Sequence, residues 1–292
     1  MTASFGQRAR VGIDRLGPLC VGIDPHAGLL DEWGLTQTAS GAREFGLRVV
    51  EAAAGRAAFV KPQVSFFECY GSAGFAALED VMSAARAAGI LVIADAKRGD
   101  IGSTMDAYAA AWLTPGSPLE ADALTVSPYL GVGALRGTLE LAYRHGKGAF
   151  VLAATSNPEA TGVQRSADES GRTVSQRVID EVSEINAAHT AEDEWGSAGF
   201  VIGATVDWQR AGIRPCTPVA PILAPGFGHQ GARPEDAPRI FGEMAPAVIV
   251  SESRSILTAG SGMIDRVVED HARAARAAGE TRGSEGQEQE RQ

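Results

Sequence analysis

The sequence predicts an α/β fold, a single-domain closed (β/α)8 (TIM) barrel, and three observations favour it. Short apolar runs alternate with Ala-rich segments of helical periodicity along the whole chain, as in parallel sheets covered by helices. The 292 residues suffice for one barrel of about 250 residues without a second domain. Charged side chains recur where the apolar runs end, which is where such barrels place their chemistry.

Eight of the runs have the length and composition of buried strands. We predict these strands at 19–24, 57–61, 90–95, 123–126, 149–153, 199–203, 219–224 and 247–250. An open doubly wound sheet is the alternative, and it usually has fewer strands. We assign residues 1–278 to the barrel and predict a disordered polar tail at 279–292, because that tail lacks apolar residues to offset its ordering entropy.

Composition narrows the range of functions. The chain is 45% hydrophobic and 21% charged, and its net charge of -10 argues against nonspecific nucleic-acid binding. We expect neither a membrane span nor a secretory signal, because no apolar stretch reaches about 20 residues and residues 1–12 lack an apolar core. The three cysteines are odd in number and far apart, which favours reduced thiols in the cytoplasm over disulfides or a zinc site.

The most informative segment follows the third predicted strand and contains Asp95, Lys97 and Asp100. On an extended chain Asp95 and Lys97 would face the same way, because they are two residues apart. Buried charges are costly, and even paired ones often stabilise a fold no better than apolar residues. A lone Asp-x-Lys is more often an ordinary ion pair, but the longer string Asp-x-Lys-Arg-x-Asp-Ile-x-x-Thr, ending at Thr104, indicates a functional site.

Polar residues end several other strands as well. Asp24 and Lys61 end the first and second strands, Ser156 follows the fifth, and Arg254 follows the eighth. Because the carboxyl ends of the strands meet at one rim of a barrel, these side chains should converge with the Asp-x-Lys pair.

The loop after the seventh strand, Pro-Gly-Phe-Gly-His-Gln-Gly at 225–231, formally matches the dinucleotide fingerprint Gly-x-Gly-x-x-Gly. Prolines soon interrupt any helix after it, and the next predicted strand carries no acid, so the dinucleotide interpretation is disfavoured. Barrels often bind phosphate with the loops after strands seven and eight. We therefore predict a phosphomonoester site at Gln230 and Arg254, with the glycines letting the loop close as a lid.

In order and spacing, the motifs from Asp24 to Arg254 resemble those of the orotidine 5'-monophosphate decarboxylase family. The chain length, the long loop after Ser156 and the Ser-Pro-Tyr-Leu-Gly run at 127–131 look like its longer bacterial subgroup, type 2. Ser253 departs from the pattern of smaller members, which carry Gly just before the phosphate-binding Arg.

The resemblance implies a carboxy-lyase that converts orotidine 5'-monophosphate to uridine 5'-monophosphate and carbon dioxide in pyrimidine biosynthesis, with no metal or other cofactor. Lys97 would protonate C6 of the pyrimidine, and Asp95 would lie beside the substrate carboxylate and hold Lys97. Lys61 would join this charge network and bind ribose hydroxyls with Asp24. Ser156 would bind the pyrimidine amide edge.

The resemblance also implies a homodimer with shared active sites, in which Asp100, Ile101 and Thr104 complete the site of the partner subunit. Asp100 counts with Lys97, Asp95 and Lys61 among the implied catalytic residues. The implied substrate-binding residues are Asp24, Ile101, Thr104, Ser156, Pro225, Gln230, Gly231, Ser253 and Arg254.

Two other functions stay open at this point. A metal-dependent sugar-phosphate lyase or decarboxylase on a related barrel can share the Asp-x-Lys-x-x-Asp arrangement, but it uses magnesium and an added acid. A non-catalytic nucleotide-binding protein would be expected to lose at least one of Asp95, Lys97 and Asp100, and all three are present.

Overall fold

The computed structural model describes the backbone of residues 3–289 and the side chains as far as Gly279. Eight parallel strands form a closed barrel in chain order, which confirms the predicted fold. Every predicted strand overlaps an observed one. The strands are β1 Leu19–Ile23, β2 Phe59–Pro62, β3 Leu91–Arg98, β4 Ala123–Val126, β5 Gly148–Ala154, β6 Ala198–Ile202, β7 Ile222–Pro225 and β8 Val248–Glu252.

Helices cover the outside of the barrel, and apolar residues between the two layers form the larger of two buried clusters. The helices are α1 Phe5–Leu16, α2 Ala27–Glu32, α3 Ala39–Ala53, α4 Ser65–Glu68, α5 Gly71–Ala87, α6 Gly102–Leu113, α7 Arg136–Arg144, α8 Thr161–Gln164, α9 Val174–His189, α10 Trp208–Ala211, α11 Ala237–Phe241, α12 Arg254–Leu257 and α13 Ile264–Gln289. Short 3-10 helices lie at Val132–Leu135, Pro158–Ala160, Pro234–Asp236 and Gly242–Ala247.

The barrel interior is a packed core to which every strand contributes. The strand residues in this smaller cluster include Cys20, Phe59, Ile93, Ala123, Phe150, Val201, Leu223 and Ile249. Phe5 of α1 joins them from the amino-terminal end and meets the ring of Phe150 edge-on, with 5.8 Å between the ring centroids. Gly148 makes room for Phe5, because a Cβ there would lie 2.2 Å from its ring. Because side chains fill the amino-terminal end of the barrel, a ligand site can form at the carboxyl end.

The long loop after β5 is partly helical. Part of the long polar loop that the sequence predicts after Ser156 folds into the 3-10 helix Pro158–Ala160 and into α8. Gln164 of α8 returns to the strand end, where its Oε1 accepts a hydrogen bond of 2.8 Å from the backbone N–H of Thr155. The loop is therefore tied back to the rim of the barrel.

The last helix differs from the expectation for the tail. α13 runs to Gln289, so the backbone is helical through most of 279–292, where the sequence predicts disorder. Glu, Gln and Arg form helices readily, and a helix anchored by packing in its first half can extend beyond it. Residues 290–292 lie outside the described residues, and the assignment of 1–278 as the barrel domain stays a prediction.

Two further expectations concern membranes and thiols. No helix within the described residues is long and apolar enough to cross a membrane. All three cysteines are free, with Cys20 and Cys216 buried and Cys69 exposed. Burial raises the pKa of the Cys20 thiol to about 12, in keeping with a core role.

Candidate active site

A cavity of about 610 Å³ lies at the carboxyl end of the barrel. Its wall combines residues from the ends of six strands with residues of the loops that follow. Eight of the sequence-predicted site residues line it: Asp24, Lys61, Asp95, Lys97, Pro225, Gln230, Ser253 and Arg254. The structure therefore brings the two predicted ends of a site, the charge network and the phosphate loops, into one cavity.

Asp95 lies between two lysines. Its Oδ2 accepts a hydrogen bond of 2.9 Å from Lys61 Nζ, and its Oδ1 accepts one of 2.5 Å from Lys97 Nζ. The hydroxyl of Thr125, on the neighbouring strand β4, donates a third bond of 3.0 Å to Oδ1. Asp95 and Lys61 are buried, whereas the Lys97 side chain is 46% exposed toward the cavity that it lines. Lys97 is thus the member of the network that a ligand could reach.

The network keeps its members charged. Burial alone would raise the pKa of Asp95, but the charges of Lys61 and Lys97 outweigh it and hold that pKa well below its usual range. Burial would likewise lower the pKa of Lys61, but the charges of Asp95 and Asp24 raise it instead. The cavity floor therefore carries fixed charges of both signs at neutral pH.

Lys97 has an unusual backbone conformation. Its φ is 48°, in the left-handed region that residues with a side chain rarely adopt, and its N–H donates a bond of 2.9 Å to Thr125 Oγ1. The pairing of β3 with β4 shifts register between Ala94 and Arg98. The two-residue spacing predicted a shared face, and both side chains line the cavity although the strand is irregular between them. Such strain costs about 1–3 kcal/mol and is concentrated at functional sites.

One carboxylate oxygen of Asp24 receives no hydrogen bond from the described residues. It follows β1 and lines the cavity, and its Oδ1 is buried without a hydrogen-bond partner in the described part of the chain. A buried carboxylate oxygen without a donor is costly. This oxygen is thus suited to a donor brought by a ligand, such as a hydroxyl group.

The opposite end of the cavity is built from glycine-rich loop and arginine. Gly226, Gly228 and Gly231 have φ values of 113°, 69° and 98°, so the path of this loop favours glycine at each of them. Arg254 begins α12, and its Nη1 lies 2.8 Å from Nε2 of His229 in the loop. Gly231 itself does not line the cavity.

Ser253, the departure from the family pattern, has a compensating partner. A Cβ on Gly22 of β1 would lie only 1.8 Å from Ser253 Oγ, so the absence of a side chain at Gly22 creates the space for that hydroxyl. The Ser253 side chain is therefore accommodated without displacing Arg254 from the cavity wall.

Ser156 lies beside the cavity lining. Its hydroxyl is 3.4 Å from Gln230 Oε1, which links the loops after β5 and β7. Three neighbours in the β5 loop, which sequence reasoning did not single out, line the cavity instead: Thr155, Asn157 and Gln164. Long loops in compact domains are often functional, so the length and polarity of this loop were the available signal for them.

The sequence analysis also missed other residues in and around the cavity wall. Gln63 follows Lys61 by two residues, lines the cavity and donates a bond of 3.3 Å to the backbone carbonyl of Asp95. His229, to which the sequence analysis gives no role, pairs with Arg254 in the cavity wall. The alternation along β2 could have found Gln63, but nothing in the sequence distinguishes Thr125 from a core residue.

Asp100, Ile101 and Thr104 do not line the cavity of their own chain. They lie at the start of α6, where Ile101 is 63% exposed. The loop after β4 is close by, because a Cβ on Gly99 would lie 2.7 Å from the carbonyl oxygen of Ser127. In that loop Tyr129 and Leu130 are 81% and 52% exposed. Large apolar side chains are thus exposed on adjacent loops next to the site.

The fold and the cavity define a (β/α)8-barrel enzyme whose site carries a fixed lysine–carboxylate network. Residues 17–278 match the model of the orotidine 5'-phosphate decarboxylase / HUMPS family. Orotidine 5'-phosphate decarboxylase of Salinispora tropica is 51% identical over 273 residues, covering 91% of this chain and 96% of the relative. That of Corynebacterium efficiens is 49% identical over 262 residues, covering 89% and 92%. The chain therefore belongs to this family, and its similarity to these relatives makes it a carboxy-lyase.

Solved structures agree with this assignment. The structure of Leishmania donovani OMP decarboxylase is 30% identical with a TM-score of 0.75, covering 94% of this chain and 98% of that one. A crystal structure from Streptomyces avermitilis, provisionally described as orotidine 5'-phosphate decarboxylase, is 47% identical with a TM-score of 0.89 and covers 95% and 96%. Within the described residues no cluster of His, Cys, Asp and Glu side chains is positioned to hold a metal ion.

Proposed function

We propose that this protein converts orotidine 5'-monophosphate to uridine 5'-monophosphate and carbon dioxide, with Lys97 as the proton donor and no cofactor. The observation that carries the proposal is the Lys61–Asp95–Lys97 network, fixed at one end of a cavity that has Gln230 and Arg254 at the other. We also propose that the enzyme acts in pyrimidine biosynthesis and in the cytoplasm. The named relatives support the first statement, and the free cysteines support the second.

The difficult step is the loss of carbon dioxide. The bond from C6 of the pyrimidine to the carboxylate breaks, and its electron pair stays on C6 in the plane of the ring, where no π system can absorb it. A fixed ammonium group in a site shielded from water stabilises such a pair, because little reorganisation is needed. Lys97 is reachable from the cavity, is held by Asp95, and would then give a proton to C6.

The other polar groups near the network suit the rest of a nucleoside. Asp95 would lie beside the substrate carboxylate while holding Lys97 in place. The open Oδ1 of Asp24 and the ammonium of Lys61 are suited to ribose hydroxyls. Ser156, through its position against Gln230, would reach the amide edge of the pyrimidine.

Gln230 and Arg254 would bind the phosphate, far from the bond that breaks. Arginine offers a planar fork that matches phosphate oxygens, and the glycine-rich loop can bring backbone N–H groups close. The remaining residues of this end, Pro225, Gly231 and Ser253, would shape it. Phosphate binding can then contribute to the reaction by closing the loop over the pyrimidine.

A homodimer with shared sites is the proposed assembly, with Asp100, Ile101 and Thr104 reaching the cavity of the partner. Two findings support it: these residues do not line the cavity of their own chain, and Ile101, Tyr129 and Leu130 expose apolar surface beside it. Such a patch is typical of an interface between proteins. No nucleic-acid or membrane partner is proposed.

The test is a spectrophotometric assay of the purified protein with orotidine 5'-monophosphate and EDTA, following loss of the orotate chromophore. Rapid conversion to uridine 5'-monophosphate is expected. A reaction that EDTA abolishes and magnesium restores would favour the metal-dependent lyase instead. Tight binding of uridine 5'-monophosphate by a folded protein without any turnover would favour a binding protein.

A further inference from the structure

A buried carboxylate ends the strand that leads to the proposed phosphate-binding arginine. Glu252 is the last residue of β8, two positions before Arg254, and only 2% of its surface is exposed. Its Oε2 accepts two hydrogen bonds, of 2.7 Å from the Ser255 hydroxyl and of 3.0 Å from His271 Nδ1. His271 lies on α13 and is not part of the cavity lining, so one carboxylate oxygen connects this helix to the end of β8.

The same carboxylate supports the glycine-rich loop. A Cβ on Gly228 would lie 2.6 Å from Glu252 Oε2 and 2.5 Å from Ser255 Oγ. The backbone of the loop therefore packs against the Glu252–Ser255 pair, just before the segment that carries Gln230. The three residues Glu252, Ser255 and His271, which we call the brace, thus pack against the loop that carries Gln230, and two of them flank Arg254 along the chain.

Stability alone does not account for the brace. Buried ion pairs often stabilise a fold no better than apolar residues of similar size. A carboxylate behind a site for a phosphate dianion also opposes the binding of that dianion by charge repulsion. The hydrogen bond from His271 compensates for this charge, and the same bond to Glu252 raises the pKa of His271, which favours its cationic form.

We propose that the brace is a positioning device for phosphate recognition, in which His271 holds Glu252 and Glu252 fixes Arg254 and the Gly228 turn at the spacing that a phosphate requires. This inference rests on the proposed function, because the phosphate belongs to the proposed substrate. None of the three residues lines the cavity, so they act through Arg254 and the loop and not by contact with the ligand.

The test compares His271→Ala and His271→Gln with a matched control, His189→Gln, on α9. His189 stacks on Tyr143 and is outside the cavity lining. Dissociation constants for uridine 5'-monophosphate and for uridine are measured alongside kcat and KM for orotidine 5'-monophosphate. Loss of a hydrogen bond to a buried carboxylate should weaken uridine 5'-monophosphate binding about tenfold in His271→Ala. KM should rise in parallel while uridine binding stays unchanged.

His271→Gln should recover most of the phosphate-dependent affinity, because its amide can still donate to Glu252. Equal losses for uridine and uridine 5'-monophosphate, or unchanged binding of both by a folded His271→Ala protein, would overturn the inference. Should His271→Ala fail to fold, Ser255→Ala removes another donor to Glu252 and must show the same selective loss. The wild-type assay keeps the two proposals apart, since absence of turnover contradicts the function, whereas the nucleotide–nucleoside comparison concerns the brace alone.

Discussion

The two ends of the cavity are built differently. At the network end, Lys61 and Asp95 are buried residues of adjacent strands, and a hydrogen bond of 2.9 Å joins their charged groups. At the phosphate end, Gln230 and His229 are exposed on a loop that turns through glycines, and Arg254 bonds to His229. The contrast teaches that the groups proposed for the chemical step are fixed by the barrel itself, whereas those proposed for the phosphate lie on the glycine-rich loop and at the start of α12.

The largest effect should come from the network end. Lys97→Ala should lower kcat at least about a thousandfold, because it removes both the proposed proton donor and the positive charge proposed to stabilise C6. Uridine 5'-monophosphate should still bind, since Gln230 and Arg254 are intact. Steady-state kinetics together with calorimetric binding would check this, and turnover close to wild type would refute the proton-donor role.

The matching change at the phosphate end should affect binding. Arg254→Ala should weaken uridine 5'-monophosphate binding about a hundredfold, because the proposed charged contact with the phosphate is lost. Uridine, which has no phosphate, should bind as it does to the wild type. Competition titrations with both ligands measure the difference, and a parallel loss for uridine would contradict the phosphate assignment.

At the network end, the proposed dimer takes Lys97 from one chain and Asp100 from the other. Lys97→Ala and Asp100→Ala should each be inactive alone, but mixing them under conditions that exchange subunits should restore activity. Half of the dimers in a random equimolar mixture are heterodimers, and each heterodimer has one intact site out of two. About a quarter of the wild-type activity is therefore expected. Neither variant mixed with itself should recover, and no recovery in a mixture shown to contain heterodimers would contradict shared sites.

The smallest effect concerns pH and the brace behind the phosphate end. Because the bond to Glu252 raises the pKa of His271, its contribution to stability is full below the ordinary histidine value of about 6.5 and declines as pH rises through the raised folded-state value. The melting temperature of wild type should therefore exceed that of His271→Gln by more at pH 6 than at pH 9. A difference that grows toward pH 9 would have the wrong sign.

The same argument from strand ends predicted the residues at both ends of the cavity. A closed parallel barrel gathers its strand ends at one rim, so Asp24, Lys61, Asp95 and Arg254 could be placed together before any coordinates. The left-handed conformation of Lys97 could not be predicted, because it depends on a register shift between two strands.

Contacts made by packing were also beyond the sequence. Thr125 lies within an apolar strand, and its bond to Asp95 depends on how β3 and β4 align. His271 is 19 positions from Glu252 and reaches it only because α13 packs against the barrel. Neither residue belongs to a sequence motif with a fixed spacing, because tertiary packing creates both interactions.

The most direct test of the division between the two ends is a paired measurement on Lys97→Ala and Arg254→Ala, recording kcat for orotidine 5'-monophosphate and the dissociation constant for uridine 5'-monophosphate. We predict a crossed result: Lys97→Ala loses turnover and keeps nucleotide binding, and Arg254→Ala loses nucleotide affinity by the larger factor. If both variants lost turnover and affinity in the same proportion, the separation of chemistry from phosphate recognition would be contradicted.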